Sequence, residues 1–432
     1  MKLVKLSLAA IVAAGALTSV ASAASLEEAI KNVDVTGFAR YRYDNTKTTA
    51  IKAKDSSGDT SAKHRFTSDI DFKAALDDNF FGVIGFRYDS RDASGERVNA
   101  ETSVGVYDDS GSDNNGQTFN VRQFYLGYTA GNTTVTAGRQ VLGTFFTDDM
   151  VGTGIKVLNS DISGLTLAAI AFDNLQDDGD IGTSAVYLSK PSINKTTGEI
   201  EDDQYTYDRN LYGVAAIGSY DPVSFQVWYA ALDSVAQLYA LDVTVGANLG
   251  DVDLSLQAQA AGSSMWAHSA STASENYDAN TGEYSLTPGS AHLDDATFLA
   301  VELGAKAFGF DGSVGYVNLN TKGNGTSLIS FEDQGSFITA GEDLLNYTKF
   351  NYDANIYFIT AGYTFDKVRV GADYVGARVD GETDYVDAYE AVARVDYKYS
   401  KKLNFKTWYS YIDRDNNKND ANHLRFEARY NF

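Results

Sequence analysis

Arginine recurs at alternate positions in several segments, and alternate residues share one face of a β-strand. Arg40 and Arg42 show this spacing near the start of the sequence, and Arg425 and Arg429 share one parity near its end. A guanidinium group stays protonated at any working pH, so such a face carries a fixed positive charge and supplies no acid–base catalyst. The candidates for this face are Arg40, Arg42, Arg65, Arg87, Arg139, Arg369, Arg394, Arg425 and Arg429.

The sequence lacks the motifs of common enzymes and metal sites. It has no cysteine, only four histidines and no G-x-S-x-G segment, and residues 152–154 lack the third glycine of a dinucleotide loop. Residues 413–418 resemble the start of an EF-hand, but Lys418 replaces its glycine and Leu424 its final glutamate. We therefore expect a protein that is not an enzyme.

Composition excludes two further classes. The chain has 58 acidic and 35 basic residues, a net charge of −23 and a pI near 4.5, and this sign repels a nucleic-acid backbone. A mean hydropathy of −0.26 is too polar for a bundle of membrane helices. We expect no nucleic-acid partner.

The N-terminus predicts export from the cytoplasm. Lys2 and Lys5 precede an apolar run at residues 6–20, and Ala21 and Ala23 form an A-x-A cleavage site. The predicted division of the chain is a signal peptide at 1–23 and one domain at 24–432.

Period-two alternation of apolar and polar residues fills the rest of the chain, as in half-buried strands. In residues 33–44 the odd positions are apolar, aromatic or glycine, whereas most even ones are charged or polar. The predicted strands number about eighteen. They are 33–44, 65–76, 79–89, 118–129, 133–141, 152–159, 165–173, 210–219, 223–232, 236–248, 252–261, 295–308, 312–319, 353–364, 367–378, 385–399, 403–412 and 422–432.

The connections between these segments alternate in length. Tight links such as residues 77–78 and 249–251 are separated by long polar segments such as 45–63, 174–209 and 262–294. Short turns on one side and long loops on the other are typical of outer-membrane barrels. The fold prediction is therefore all-β: a transmembrane antiparallel up-and-down β-barrel of about eighteen strands, with short periplasmic turns and long external loops, in the outer membrane.

The last predicted strand carries a possible assembly signal. Its apolar face contains Phe426 and Tyr430 and ends at Phe432. An apolar stripe ending in phenylalanine resembles the signal recognised by the outer-membrane barrel assembly machinery, and Phe426, Tyr430 and Phe432 are the residues assigned to it.

Several segments resemble the major outer membrane porins of campylobacters and related epsilonproteobacteria. They include Arg-Tyr-Arg-Tyr-Asp at 40–44 and Phe-Glu-Asp-Gln-Gly at 331–335, together with 26–30, 33–35, 151–154, 164–169, 210–213, 218–221 and 390–400. The resemblance implies an eighteen-stranded barrel, a homotrimer and passive diffusion of small hydrophilic solutes. It also implies a constriction with bound calcium.

Similarity to general porins and to this family implies roles for two sets of acidic residues. In general porins the loop after the fifth strand folds into the lumen, and here that loop contains Asp148 and Asp149, expected to face the arginine row. The calcium ligands implied are Asp149, Asp180 and Glu332. A competing interpretation is that the arginines are solvated at the rim or paired with inward acids and that loop carboxylates are simply solvated. These inward acids are Asp34, Asp69, Asp71, Asp373 and Asp396.

The expected function is a porin with a weak preference for cations, because the net negative charge enriches cations at the pore mouths. The alternative is a structural or adhesive barrel that acts through its external loops, and strand number separates the two, because barrels of sixteen or more strands leave a channel. Expected partners are further copies of the chain, lipopolysaccharide and outer-membrane lipid, the barrel assembly machinery, and ions and small hydrophilic solutes.

Overall fold

The computed structural model describes residues 33–49, 59–90, 117–176, 180–182, 186–187, 192–193, 195–196, 200–201, 206–266, 271–278, 283–322, 326–328, 336–344, 353–380, 385–415 and 420–432. The predicted signal peptide at 1–23 and Glu332 lie outside these residues. Within them, no helix has the length and apolar character needed to cross a membrane.

Eighteen antiparallel strands form one closed sheet, which confirms the predicted barrel. Each strand pairs with its neighbours in the chain, and the last strand pairs with the first, with Phe38 opposite Asn431. The strands are β1 (Asp34–Thr49), β2 (Asp59–Ala75), β3 (Phe80–Ser90), β4 (Gln117–Ala130), β5 (Thr133–Val141), β6 (Val151–Asn159), β7 (Leu165–Leu175), β8 (Leu211–Tyr220), β9 (Val223–Leu232), β10 (Ala236–Leu249), β11 (Val252–Met265), β12 (Ala296–Ala307), β13 (Phe310–Thr321), β14 (Ala354–Phe365), β15 (Val368–Asp380), β16 (Tyr385–Lys398), β17 (Leu403–Arg414) and β18 (Asp420–Asn431).

The external ends of the strands differ from prediction. β1 and β2 extend to Thr49 and from Asp59, into the segment predicted as a loop at 45–63. The predicted loop at 262–294 contains a hairpin of strands Ser271–Asp278 and Glu283–Asp294. The alternation of apolar and polar residues does not predict these strand segments, because strands that extend beyond the membrane can be polar on both faces. The other short elements are strands Val186–Tyr187, Ser192–Ile193, Ile200–Glu201 and Thr326–Ser327 and 3₁₀ turns Asp180–Gly182 and Thr206–Asp208.

The outer face of the barrel is apolar and exposed. On β4, Phe124 is 65% exposed and Leu126 is 57% exposed. Aromatic rings pair near the short turns, with centroids 4.7 Å apart for Phe80 and Tyr128 and 4.5 Å apart for Phe310 and Tyr363. An apolar band bordered by aromatic residues matches a surface in contact with lipid.

The inner face has two different regions. The apolar wall is the inner face of β7–β14 toward the long loops, where Trp228, Leu238, Phe298 and Ile356 are buried in one cluster. The charged wall is the inner face of β15–β18 and β1–β4, which carries most of the arginines. This division decides where loops can pack inside the barrel.

Candidate constriction of the barrel

Eight of the nine predicted arginines lie on the inner face. Across the β1–β18 pair, Arg40 is opposite Arg429 and Arg42 is opposite Glu427, with Arg42 Nη2 3.0 Å from Glu427 Oε2. Arg42 is also opposite Arg65 of β2. The eight are Arg40, Arg42, Arg65, Arg87, Arg369, Arg394, Arg425 and Arg429, and strand alternation places them all toward the lumen.

Arg139 lies on the opposite face, so its predicted lumen position is corrected. It is opposite Phe124 in β4, which is one of the exposed residues of the outer face. Its neighbour in sequence, Gln140, is buried and accepts a hydrogen bond from the Thr136 hydroxyl at 2.6 Å, so these two residues define the inner face of β5. Arg139 is adjacent to Gln140 in the strand, so its side chain points to the outer face.

Arg122 is a lumen arginine that the sequence analysis missed. The β3–β4 register shifts at Gly85 and Phe86, and this bulge turns Arg122 and Gln123 to the same side. Arg122 Nη1 lies 2.7 Å from Asp69 Oδ2. The signal was present, since two consecutive polar residues interrupt the outer row between Val121 and Phe124.

Residues 142–150, named here the β5–β6 loop, fold into the barrel. Leu142, Phe145, Phe146 and Met150 are almost completely buried, at 2% exposure or less. Burying such side chains stabilises the loop by about 1.5–3 kcal/mol each. The loop therefore lies against the apolar wall.

The acidic end of the β5–β6 loop faces the charged wall. Asp149 Oδ2 lies 3.0 Å from Arg87 Nη2 and 2.9 Å from Arg122 Nη2, and Arg122 also donates to the Asp149 carbonyl. Asp69 pairs with both arginines from the opposite side. Two guanidinium groups are thus held between a wall carboxylate and a loop carboxylate.

A second segment, residues 336–344 of the β13–β14 connection, also packs inside the barrel. Gln259 of β11 accepts from Ile338 N and donates to the Ser336 carbonyl, both at 2.7 Å. Glu390 of β16, which is completely buried, accepts from the backbone N–H groups of residues 342–344 at 2.9–3.0 Å and from the Ser410 hydroxyl at 2.6 Å. These bonds fix the 336–344 segment to two sides of the barrel.

Acidic side chains of the 336–344 segment also face cations of the charged wall. Glu342 Oε1 lies 2.6 Å from Arg394 Nη1 and 3.3 Å from Lys406 Nζ. Asp343 Oδ1 lies 2.9 Å from His423 Nδ1. The sequence analysis missed these residues because an acidic pair in a long polar loop gives no sign that it folds inward.

The two inward segments contact each other. The ring centroids of Phe145 and Phe337 are 4.6 Å apart, and those of Phe337 and Phe298 of β12 are 4.8 Å apart, both edge to face. The three rings form one aromatic column from the apolar wall to the β5–β6 loop. The segments therefore narrow the lumen as one packed unit.

The described residues hold part of the predicted calcium site. Asp148 N donates to Asp180 Oδ2 at 3.0 Å, so Asp180 lies beside the β5–β6 loop, whereas Glu332 lies outside the described residues. Asp149 Oδ2 is already paired with two arginines. No group of three or more residues suited to a metal occurs in the part of the chain that is described. Carboxylates suit calcium, but these residues alone do not complete a site.

The predicted assembly residues lie on the outer face of β18 and just after it. Phe426, Tyr430 and Phe432 are 37%, 41% and 38% exposed, and the rings of Tyr430 and Phe432 are 5.8 Å apart. Tyr430 and Phe432 lie at the end of the barrel that has the short turns, whereas Phe426 lies farther along β18, opposite Thr407.

Three solved structures with this fold are proteins of Pseudomonas aeruginosa and Acinetobacter baumannii. OpdK of Pseudomonas aeruginosa, crystallised with vanillate, has a TM-score of 0.63 and 12% identity over 93% of this chain and 99% of its own. OccK9 (OpdG) of the same organism has a TM-score of 0.64 and 12% identity, with coverage of 94% and 99%. OccAB4 of Acinetobacter baumannii has a TM-score of 0.63 and 10% identity, with coverage of 92% and 98%.

At these identities the likeness shows the fold alone. No curated protein sequence matches the chain significantly. A family model described as Campylobacter major outer membrane protein matches residues 1–432. The chain therefore belongs to the Campylobacter major outer membrane protein family and is a protein of the outer membrane.

Proposed function

We propose that this protein is a porin, a water-filled channel for passive diffusion of ions and small hydrophilic solutes. The observation that carries the proposal is a closed eighteen-stranded barrel whose charged wall faces carboxylates on two inward segments. Barrels of this size enclose more space than their wall side chains fill. Family and fold point to a channel rather than an enzyme.

The constriction combines opposite charges across a short distance. Arg87 and Arg122 face Asp149, and Arg394 faces Glu342. Such a transverse field favours polar solutes, which keep favourable contacts, over apolar ones, which must displace ordered water. The net charge of −23 adds a weak preference for cations.

The decisive experiment is single-channel recording of the refolded protein in a planar bilayer under a salt gradient. Stepwise openings with a reversal potential on the cation side support the proposal. Anion selectivity would reject the cation preference. A silent membrane containing correctly folded protein would reject conduction and leave a closed barrel acting through its loops.

Calcium binding and trimerisation belong to the same proposal. Calcium would be held by Asp149, Asp180 and Glu332. Isothermal titration of calcium into wild type and, separately, into Glu332→Gln tests this assignment. Equal calcium affinity of the two proteins would contradict it. Openings in groups of three, with a detergent-resistant species near three times the monomer mass, support a homotrimer.

A further inference from the structure

Lys156 is a buried cation on the inner face of β6. It is 9% exposed, and its Nζ donates to the Val141 carbonyl at 2.7 Å. No described carboxylate lies within ion-pair distance of it. An ammonium group has three protons to donate, and a buried charge without a counter-ion is unfavourable. Two donor positions and one positive charge are therefore open to a ligand.

Lys156 borders a pocket on the inner faces of β4–β6. The pocket has a volume of about 50 Å³ and is partly open to the lumen. Holding one water takes about 10–15 Å³ on this measure, so the pocket fits a group of a few heavy atoms. Six of its eight lining residues have polar side chains, namely Gln123, Tyr125, Thr134, Thr136, Gln140 and Lys156.

Two glycines, which have no side chains, leave room for the Lys156 side chain to reach the Val141 carbonyl. Gly138 and Gly154 are opposite each other on the inner face, between the pair Thr136–Lys156 and the pair Gln140–Gly152. Gly138 has a φ of +131°, and a Cβ there would lie 2.4 Å from the Phe124 carbonyl oxygen. A residue larger than glycine at position 138 would collide with the β4 backbone. No side chain from this position therefore fills the space between Lys156 and Val141.

The other polar groups of the pocket are mostly engaged. Gln123 donates to Asp71 at 2.9 Å and accepts from Val141 N at 3.2 Å, while Thr136 donates to Gln140. Lys156 has two further donor positions, and the hydroxyl of Tyr125 has no hydrogen-bond partner among the described residues. One positive charge with neighbouring donors matches a single negative charge with two oxygens, whereas a dianion would be left undercompensated.

We propose that this pocket binds the carboxylate group of small monoanionic solutes as they pass the constriction. The proposal rests on the porin function proposed above, since solutes must reach the lumen. Val141 directly precedes the β5–β6 loop, so the pocket lies beside the segment that folds into the barrel. A carboxylate would bind to Lys156 only transiently, because the pocket is partly open and the carboxylate can dissociate into water.

Saturation-transfer NMR of the full-length protein in detergent, with acetate as the probe, tests this binding. Wild type should give a saturable acetate signal, and Lys156→Gln should weaken binding about tenfold or more, since a charge-assisted hydrogen bond is lost. The matched control is Lys322→Gln, which removes an equal charge from a side chain that is 68% exposed, and it should bind like wild type.

Absence of acetate binding to wild type, or unchanged binding to folded Lys156→Gln, would overturn the proposal. If Lys156→Gln does not fold, Tyr125→Phe decides: weaker acetate binding supports the pocket, and equal binding contradicts it. The assay needs no conduction. Acetate binding by a protein that is silent in bilayers would reject the porin function alone, whereas conduction without acetate binding would reject this pocket alone.

Discussion

The inner faces of β9 and β18 occupy opposite regions of the same barrel and carry opposite chemistry. On β9, Trp228, Ala230 and Leu232 point inward and are at most 3% exposed. On β18, His423 and Arg425 point inward, and both contact Asp44 of β1. The first region packs protein against protein, whereas the second holds charges beside the open lumen.

The difference shows how an inward segment can be both firmly placed and highly charged. Each segment has an apolar part on the apolar wall, with Phe145 in one and Phe337 in the other. Each also has an acidic part toward the charged wall, with Asp149 in one and Glu342 in the other. Apolar packing sets the position of the constriction, and the carboxylates set its charge.

The largest expected effect comes from Phe145→Ala, which breaks the apolar attachment. Phe145 is completely buried, and losing such a ring costs about 3–5 kcal/mol. The β5–β6 loop should loosen, so single-channel conductance and current noise should both rise. Phe124→Ala, on the outer face, is the control and should leave conductance unchanged. Unaltered conductance of folded Phe145→Ala would contradict the role of the apolar wall.

Glu390→Ala should have the next largest effect, because it breaks the polar attachment of the 336–344 segment. Three backbone N–H groups and the Ser410 hydroxyl lose their acceptor, and each unsatisfied buried donor costs about 1–3 kcal/mol. Limited proteolysis should then cleave within the segment.

The conservative variant Glu390→Gln separates attachment from charge. It keeps one acceptor oxygen, so its proteolysis should be intermediate between wild type and Glu390→Ala. Equal protection of all three proteins would show that the segment is held by its apolar contacts alone.

The sequence predicted the charged wall better than the apolar wall, for a physical reason. Alternation on β1 and β18 distinguishes lipid from lumen because only one face is apolar. On β9 both faces are apolar, since Val227 and Tyr229 face outward while Trp228 and Ala230 face inward. The pattern therefore predicted the strand correctly and gave no sign that its inner face receives loops.

The loops themselves show the same limit. Phe145 and Phe146 in a short connection are consistent with inward folding, and the β5–β6 loop was predicted to fold inward. The inward position of the 336–344 segment depends on Gln259 and Glu390, which are far apart in sequence. Such contacts exist only in the closed barrel, so local sequence cannot show them.

Asp149→Asn should change selectivity with little effect on stability. It removes the loop charge opposite Arg87 and Arg122, and at contact distance in water one charge is worth about 1 kcal/mol. The cation-to-anion permeability ratio should fall by about two- to fivefold. Arg122→Gln should shift the reversal potential in the opposite direction. Shifts of the same sign in both variants would exclude a transverse field at this position.

The smallest effect is expected from Arg378→Gln, which tests whether position matters more than charge. Arg378 and Asp387 pair at 2.7 Å across β15 and β16 on the outer face, and their side chains are 54% and 41% exposed. Removing such a pair costs at most about 1 kcal/mol.

On the inner face of the same two strands, Arg394 contacts Asp373 and Glu342, and its side chain is 14% exposed. Arg394→Gln should alter conductance and reversal potential, and Arg378→Gln should alter neither. Equal changes in the two variants would mean that ions respond to total charge, whereas a difference confined to Arg394→Gln ties permeation to the charged wall.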